Sequence, residues 1–383
     1  MQKKRVAFGC CSRADYGIVR NYLKLLNNDS NILLEVLVTG SLLKNKYNHE
    51  VDLIKNDGFN VTFEANLPLK ETNNKNIIHA MSICLDKFGS YFYENKYDLL
   101  IVLGDRYEML PMSVAAAMQR IPILHLHGGE ATYGNYDEFI RHSITKMSTF
   151  HFAATEEYRN RIIQLGEHPD RVFNLGALGA ENCTKIDENN VPNWIKEIKA
   201  KSYFVVLFNP ETITGNDTKK QINILLKAIS KYKNYNFIFI GSNSDTNADV
   251  IRKNIKEYAK NNKNSEYIEN LHPDAYHYLL KKSNCLIGNS SSGIIEAPSL
   301  GVFTINIGLR QAGRVRGKTV IDIDWDEKEI SKAIELVLSS KAKIDNTYYK
   351  KNAASNYYKK TLQILIDLNK HIKYPKKFYD IYR

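Results

Sequence analysis

Short apolar runs recur along the chain, separated by longer stretches of helical period. In the first half the runs are RVAFGC, LLEVLVTG, YDLLIVLGD, IPILHLHGGE and FHFAATEE, spaced by amphipathic segments such as Tyr16–Leu26 and Met112–Gln119. Runs that are apolar on both faces and alternate with helices predict a parallel sheet covered on both sides. The pattern restarts with YFVVLFNPE, NYNFIFIGSN, NCLIGNSSSG and VFTINIG. Between the halves, TKIDENNVPNWIKEIKAKS is polar and contains Pro192, and it reads as a linker or connecting helix. From Ser331 the period is again helical, in ISKAIELVLSS and YYKKTLQILIDLNKHI. The expected architecture is α/β, with two Rossmann-like doubly wound domains at 1–185 and 186–365. A tail at 366–383 is free to return to the first domain.

Composition narrows this reading only slightly. A chain of 383 residues has room for two domains, and 43% apolar with 25% charged residues suits a soluble globular protein. No apolar stretch approaches the roughly 20 residues that span a bilayer. The start, MQKKRVAFGCC, runs straight into a strand-like segment, so no cleavable signal is expected and the cytoplasm is the expected location. Net charge is +11, but many lysines lie in polar stretches such as KNNKNSEY and KYPKKFYD. That pattern fits a solvated surface, no nucleic-acid module is visible, and an anionic small substrate is compatible. The five cysteines form no C-x-x-C pair, so neither a zinc site nor a disulfide framework is indicated. Cys10 and Cys11, near a strand end, read as plain small residues.

Ligands of open α/β sheets bind beyond the carboxyl ends of the strands. After the first run, GCCSRADYG offers Arg13 to a phosphate or carboxylate. A G-x-G-x-x-G fingerprint is missing there, which argues against a nicotinamide enzyme. In VLGDRYE, Asp105 falls immediately past the strand end, where a lone aspartate is ordinarily a helix cap. The next run ends HLHGGE, and strand alternation predicts His125 and His127 on one face. Gly128 and Gly129 then allow a close backbone approach to a ligand, ahead of Glu130. YDEFIRHSITK adds Asp137, Glu138, Arg141 and His142 on a helix. A metal site, metal-free acid–base chemistry and a hydrogen-bonded loop network compete for this set. For the set as a whole, acid–base catalysis is favoured.

In the second half FNPET brings Asn209 and Glu211 to a strand end. IGNSSSGIIEAPSLG follows a strand with Ser290, Ser291, Ser292 and Gly293, which can cap a helix or cradle a phosphate. Glu296 is expected about one turn inside that helix, within reach of ribose hydroxyls, and Pro298 limits the helix. GLRQAGRVRG supplies Arg310, Arg314 and Arg316 as an anion loop.

These motifs, with TEEY and LGALGAEN, resemble in order those of the hydrolysing UDP-N-acetylglucosamine 2-epimerases of bacterial sialic acid synthesis, the NeuC family. The likeness runs from Ser12 to Gly317. It implies a glycosyltransferase B type of fold with UDP-GlcNAc in an interdomain cleft, and a homodimer or homotetramer. The family reaction is anti elimination of UDP followed by hydration of the glycal to N-acetylmannosamine, without metal or other cofactor. By resemblance Arg13, Ser290, Ser291, Glu296 and Arg314 bind UDP, with Ser292, Gly293 and Arg310 beside them. Asp105, Glu130 and Asp137 are the acid–base carboxylates, and His125 and His127 position groups or share protons. One departure stands out, since Asn209 occupies the place of the histidine in the family's HPET. Asparagine can donate a hydrogen bond there but carries neither charge nor a mobile proton. Relatives acting on GDP-linked or diacetamido trideoxy sugars, a nucleotide-sugar binder without turnover, and a glycosyltransferase are the competing expectations.

Overall fold

The computed structural model describes residues 3–43, 50–68, 73–133, 136–211, 217–241, 248–341, 343–372 and 376–382. The chain divides into two compact units. The first takes Met1–Glu130, Tyr136–Leu178 and Lys350–Arg383, and the second Ala131–Asn135 and Gly179–Tyr349.

Along the first unit run β1 (Lys4–Cys10), α1 (Arg13–Asn27), β2 (Ile32–Thr39), α2 (Val51–Asn56), β3 (Val61–Ala65), α3 (Asn74–Glu94), β4 (Leu99–Leu103), α4 (Met109–Met118), β5 (Ile123–Leu126), α5 (Asp137–Met147), β6 (Phe150–Ala153), α6 (Glu156–Gln164) and β7 (Val172–Asn174). The strands pair in the order β3-β2-β1-β4-β5-β6-β7, all in parallel. Val6, Phe8, Leu99 and Ile101 pack with α1 on one face. Ala7, Leu100 and Val102 pack with residues of α3, α4 and α5 on the other. Both faces of the central strands are thus buried, which is why they read as unbroken apolar runs.

The second unit continues with α7 (Leu178–Asn182), α8 (Asn193–Glu197), β8 (Tyr203–Leu207), α9 (Thr218–Ile229), β9 (Asn236–Ile240), α10 (Ala248–Asn261), β10 (Ser265–Ile268), α11 (Pro273–Lys282), β11 (Cys285–Gly288), α12 (Ser292–Ile295), β12 (Phe303–Ile307), β13 (Val320–Ile323) and α13 (Glu327–Ser339). Its sheet order is β10-β9-β8-β11-β12-β13, again wholly parallel. The stretch read as a linker is not free, because Val191 and Ile195 are buried among Tyr203, Leu279 and Leu280. All five cysteines are buried and unpaired, and burial pushes the Cys10 and Cys11 thiols up, so they act as small core residues.

The return to the first unit begins at Lys350, well before the expected tail at 366–383. The cause is the apolar face of α14 (Ala353–Ile372), which packs on the α1 side of the first sheet. Tyr357 is fully buried there, donates to the carbonyl of Gly176 at 2.7 Å, and meets Tyr22 and Phe152 edge to face. Among the described residues no helix is long and apolar enough to cross a membrane.

Replacing Tyr357 with Ala should cost about 3–5 kcal/mol, the usual loss for a buried aromatic. Tyr357→Phe should cost only about 1 kcal/mol, the weight of one hydrogen bond. Urea unfolding measures both, and an unchanged midpoint for the alanine variant would contradict the docking of α14.

Candidate active site

In each sheet the strand order reverses once, between β1 and β4 and between β8 and β11. Loops leaving adjacent strands at such a point diverge and open a crevice at the carboxyl edge. The segments that follow these four strands carry Arg13, Asp105, Asn209 and Ser290. The topology therefore puts sequence-nominated residues at both switch points.

In the first unit the organising group is Arg141 on α5, whose side chain is fully buried. Its guanidinium pairs with Asp105 just past β4, and with Glu138 at 3.0 Å. It also donates to the carbonyl of Glu130 at 2.9 Å. One planar cation thus ties a strand end, a glycine loop and a helix start into a single arrangement. Glu138 reaches His142 at 3.2 Å, and Asp137, partly exposed, is the first residue of α5. Arg13, partly exposed, opens α1 behind the Ser12 cap, and its charge opposes the upward push of burial on Glu50. The described residues do not link Arg13 to this set by a hydrogen bond.

The two histidines part company. β5 ends at Leu126, and His127 turns out of it with φ of 62°, so the shared face expected from alternation does not form. A left-handed histidine is strained and held by its surroundings. His127 Nδ1 lies 3.3 Å from Glu130, and its buried Nε2 has no hydrogen-bond partner among the described residues. His125 is fully buried. Its Nε2–H donates to the carbonyl of Gly104 at 2.8 Å, and its Nδ1 accepts from the Thr145 hydroxyl at 3.1 Å. Burial pushes its pKa down to about 3. The ring is therefore neutral, with both nitrogens in use, and neither ligates a metal nor shares protons at neutral pH. It fixes the Gly104–Asp105 turn instead.

The two loop glycines also serve packing. A Cβ on Gly128 would press on His125 and Thr145 at 2.9 and 3.0 Å. At Gly129, with φ of 76°, it would strike the Tyr158 carbonyl. The far end of α5 is held by Lys376, whose ammonium donates to the carbonyls of Lys146 (2.6 Å) and Ser148 (2.7 Å) and pairs with Glu167 at 2.7 Å. It thereby occupies carbonyls that a helix end leaves open. Burial lowers the Lys376 pKa to about 8.

In the second unit the hub is the buried Asn289. Its side chain accepts from the Asn209 N–H and donates to the Asn209 carbonyl, both at 2.8 Å, fastening the ends of β8 and β11 together. Its own carbonyl accepts from Arg310 (3.2 Å) and Gln311 (2.9 Å), which anchors the arginine loop. Glu211, expected at the ligand edge, is taken up internally by the Leu309 N–H and Gln221, both at 3.0 Å. Arg316 is paired with Asp322, and Arg314 lies between these anchors.

The serine turn is shorter than expected. α12 lasts one turn, and Glu296 ends it and leads into the 3-10 turn Ala297–Leu300, where Pro298 cannot continue an α-helix. So short a helix adds little macrodipole, and Ser291 makes no side-chain cap bond. Anion affinity must come from individual donors. The N–H groups of Ser290 and Ser291 meet no acceptor among the described residues, and the hydroxyls of Ser290 and Ser292 lie 3.2 Å apart. Gly293 is a packing glycine, because a Cβ there would press into Thr304 at 2.5 Å. Glu296 accepts from His277 Nε2 at 3.2 Å.

The family model described as UDP-N-acetylglucosamine 2-epimerase matches residues 24–362. The chain belongs to that family. It is 45% identical to the polysialic acid biosynthesis protein P7 of Escherichia coli, over 99% of this chain and 98% of the relative. It is 33% identical to the hydrolysing GDP/UDP-N,N'-diacetylbacillosamine 2-epimerase of Campylobacter jejuni, over 85% of this chain and 86% of the relative. The crystal structure of Neisseria meningitidis UDP-GlcNAc 2-epimerase bound to UDP-GlcNAc superposes with a TM-score of 0.77 at 19% identity, covering 94% of this chain and all of that one. That likeness shows the expected glycosyltransferase B type of fold.

Arg141, Asn289 and His277 are the site-building residues that motif reading undervalued. Arg141 stood in a quoted motif without a role, Asn289 was hidden beside the serines, and His277 lies in a helix with no motif at all.

His125 provides the test of the first half-site. Its folded pKa of about 3 lies below the ordinary histidine value of about 6.5. Its contribution to stability is therefore present above about pH 6.5 and is lost as the pH falls toward 3. Side-chain nitrogen NMR of the folded protein at pH 5 should show a neutral ring protonated at Nε2, and a doubly protonated ring would contradict the assignment.

Proposed function

We propose that this chain hydrolyses UDP-N-acetylglucosamine to N-acetylmannosamine and UDP, the first step of sialic acid synthesis. The observation that carries the reading is the pair of switch points, one carrying carboxylates gathered by Arg141 and the other a turn of unused donors backed by arginines. The full-length likeness to a protein named for polysialic acid biosynthesis supports the same conclusion.

The serine turn, Arg13, Arg310 and Arg314 hold the diphosphate, and Glu296 holds the ribose. A carboxylate among Asp105, Glu130 and Asp137 takes the C2 proton as the C1–oxygen bond to UDP breaks, leaving a glycal. Water then adds its oxygen to C1, and C2 receives a proton on the opposite face. The C2 hydrogen is weakly acidic, because its carbon bears an acetamido group and no adjacent carbonyl. Stabilisation of the departing diphosphate must therefore supply much of the rate enhancement. His127 Nε2, buried and unpartnered, is available to a substrate oxygen or a water beside Glu130. The reading carries with it a cytoplasmic location and a homodimer or homotetramer.

A second reading has its own support, since the Campylobacter jejuni relative is named for a diacetamido sugar nucleotide. Turnover in deuterated water across UDP-GlcNAc, GDP-GlcNAc and the UDP-linked diacetamido trideoxy sugar separates the two. UDP-GlcNAc should give free UDP and N-acetylmannosamine deuterated at C2. Turnover of the diacetamido sugar alone would shift the assignment to it. Intact substrate throughout would mark a binder, and transfer to an added acceptor a glycosyltransferase.

Asn209 is buried, and its backbone is fastened to Asn289 at the strand end. Asn209→His should raise kcat or leave it level. A sharp fall would show that the asparagine itself is required.

A further inference from the structure

α11 lies behind the serine turn and presents two adjacent residues to it. The helix is firmly placed. His272 caps it by accepting from the Asp274 N–H, Pro273 opens it, and Ala275, Leu279 and Leu280 are buried in the core of the second unit. Tyr276 lies with its hydroxyl 2.6 Å from Ser292 Oγ. His277 Nε2 lies 3.2 Å from Glu296 Oε2.

We propose that α11 sets the hydrogen-bonding polarity of the nucleotide-binding turn, with Tyr276 turning the Ser290 hydroxyl, through Ser292, into a donor toward a diphosphate and His277 fixing Glu296 as an acceptor toward ribose. The proposal rests on the assignment of the serine turn and Glu296 to UDP. Both are positioning residues, since each acts through another side chain.

For Tyr276, counting hydrogens decides the direction. A hydroxyl has one hydrogen and two lone pairs. Ser290 Oγ accepts from the Ser292 N–H at 3.3 Å and lies 3.2 Å from Ser292 Oγ. When the phenol donates to Ser292, Ser292 donates to Ser290, and both lone pairs of Ser290 are occupied. The hydrogen of Ser290 then has no acceptor within the turn and is left for an incoming anion. Burial, followed by the charge of Glu296, pushes the phenol pKa far up, so Tyr276 keeps its proton. For His277 the chemistry is simpler. A carboxylate oxygen only accepts, so Nε2 must carry the hydrogen, and this bond holds one oxygen of Glu296 and thereby sets where the other points. Gly179 leaves room for that second oxygen, since a Cβ there would lie only 3.3 Å from it.

Titration calorimetry of the full chain with UDP, uridine and 2',3'-dideoxy-UDP tests both residues. Tyr276→Phe removes one oxygen and should weaken UDP by roughly fivefold, about the weight of one hydrogen bond, while leaving uridine unchanged. His277→Ala should weaken UDP by about tenfold, as for a bond to a charged group, and leave dideoxy-UDP unchanged. His277→Gln, which can still donate, should restore most of the loss and keeps the test valid if the alanine variant folds poorly. Wild-type UDP affinity in Tyr276→Phe or in His277→Ala would overturn the proposal, as would equal weakening of UDP and dideoxy-UDP in the histidine variant. Glu296→Gln reports on the underlying assignment separately. If it binds UDP and dideoxy-UDP as the wild type does, the ribose role of Glu296 fails, whatever α11 does.

Discussion

A guanidinium fully removed from water needs an acceptor for nearly every N–H, and that demand shapes the first half-site. Arg141 meets much of it with the Asp105 and Glu138 carboxylates and the Glu130 carbonyl. Leaving such a cation unpaired in the interior would cost several kcal/mol, so the acids are fixed by the arginine as much as the arginine is fixed by them. Their grouping needs no ligand to assemble it. That is the preorganisation on which acid–base chemistry at a carbon centre depends, since groups already in position need not reorganise during the reaction.

The second unit solves the corresponding problem without charge. Asn289 offers an amide that reads both backbone groups of Asn209, and its carbonyl takes up the arginine loop. Two strand ends and a loop are locked by one neutral residue, its side chain joining the strands and its backbone carbonyl holding the loop. That edge sets Arg310, Arg314 and the serine hydroxyls beside the carboxylates of Glu211 and Glu296.

The central strands were legible because both their faces are buried, and a strand with one face in water would have alternated with polar residues. β3, β7, β10 and β13 were not among those runs, and all four lie at sheet edges. Their burial alternates or is partial, as in Val61–Ala65 and Ser265–Ile268, so a short mixed segment looks like loop. The site was legible as a set of motifs and misread where local geometry bends. Alternation failed at His127 because the strand stops one residue earlier, and the serine helix stops at Ile295, short of the Pro298 expected to limit it. Long-range partners such as Tyr357 with Gly176 leave no local signature. The return of the last helix therefore remained only an expectation.

Because α14 and Lys376 belong to the first unit, that unit is built from segments on both sides of the second in the sequence. On the ribosome, its sheet emerges early, but the face shared by α1 and α14 stays only partly covered until α14 is released. The second unit, nearly contiguous in sequence, has its complement of helices sooner. The order of maturation is thus inverted relative to the order of synthesis, and the carboxylate-bearing half completes last.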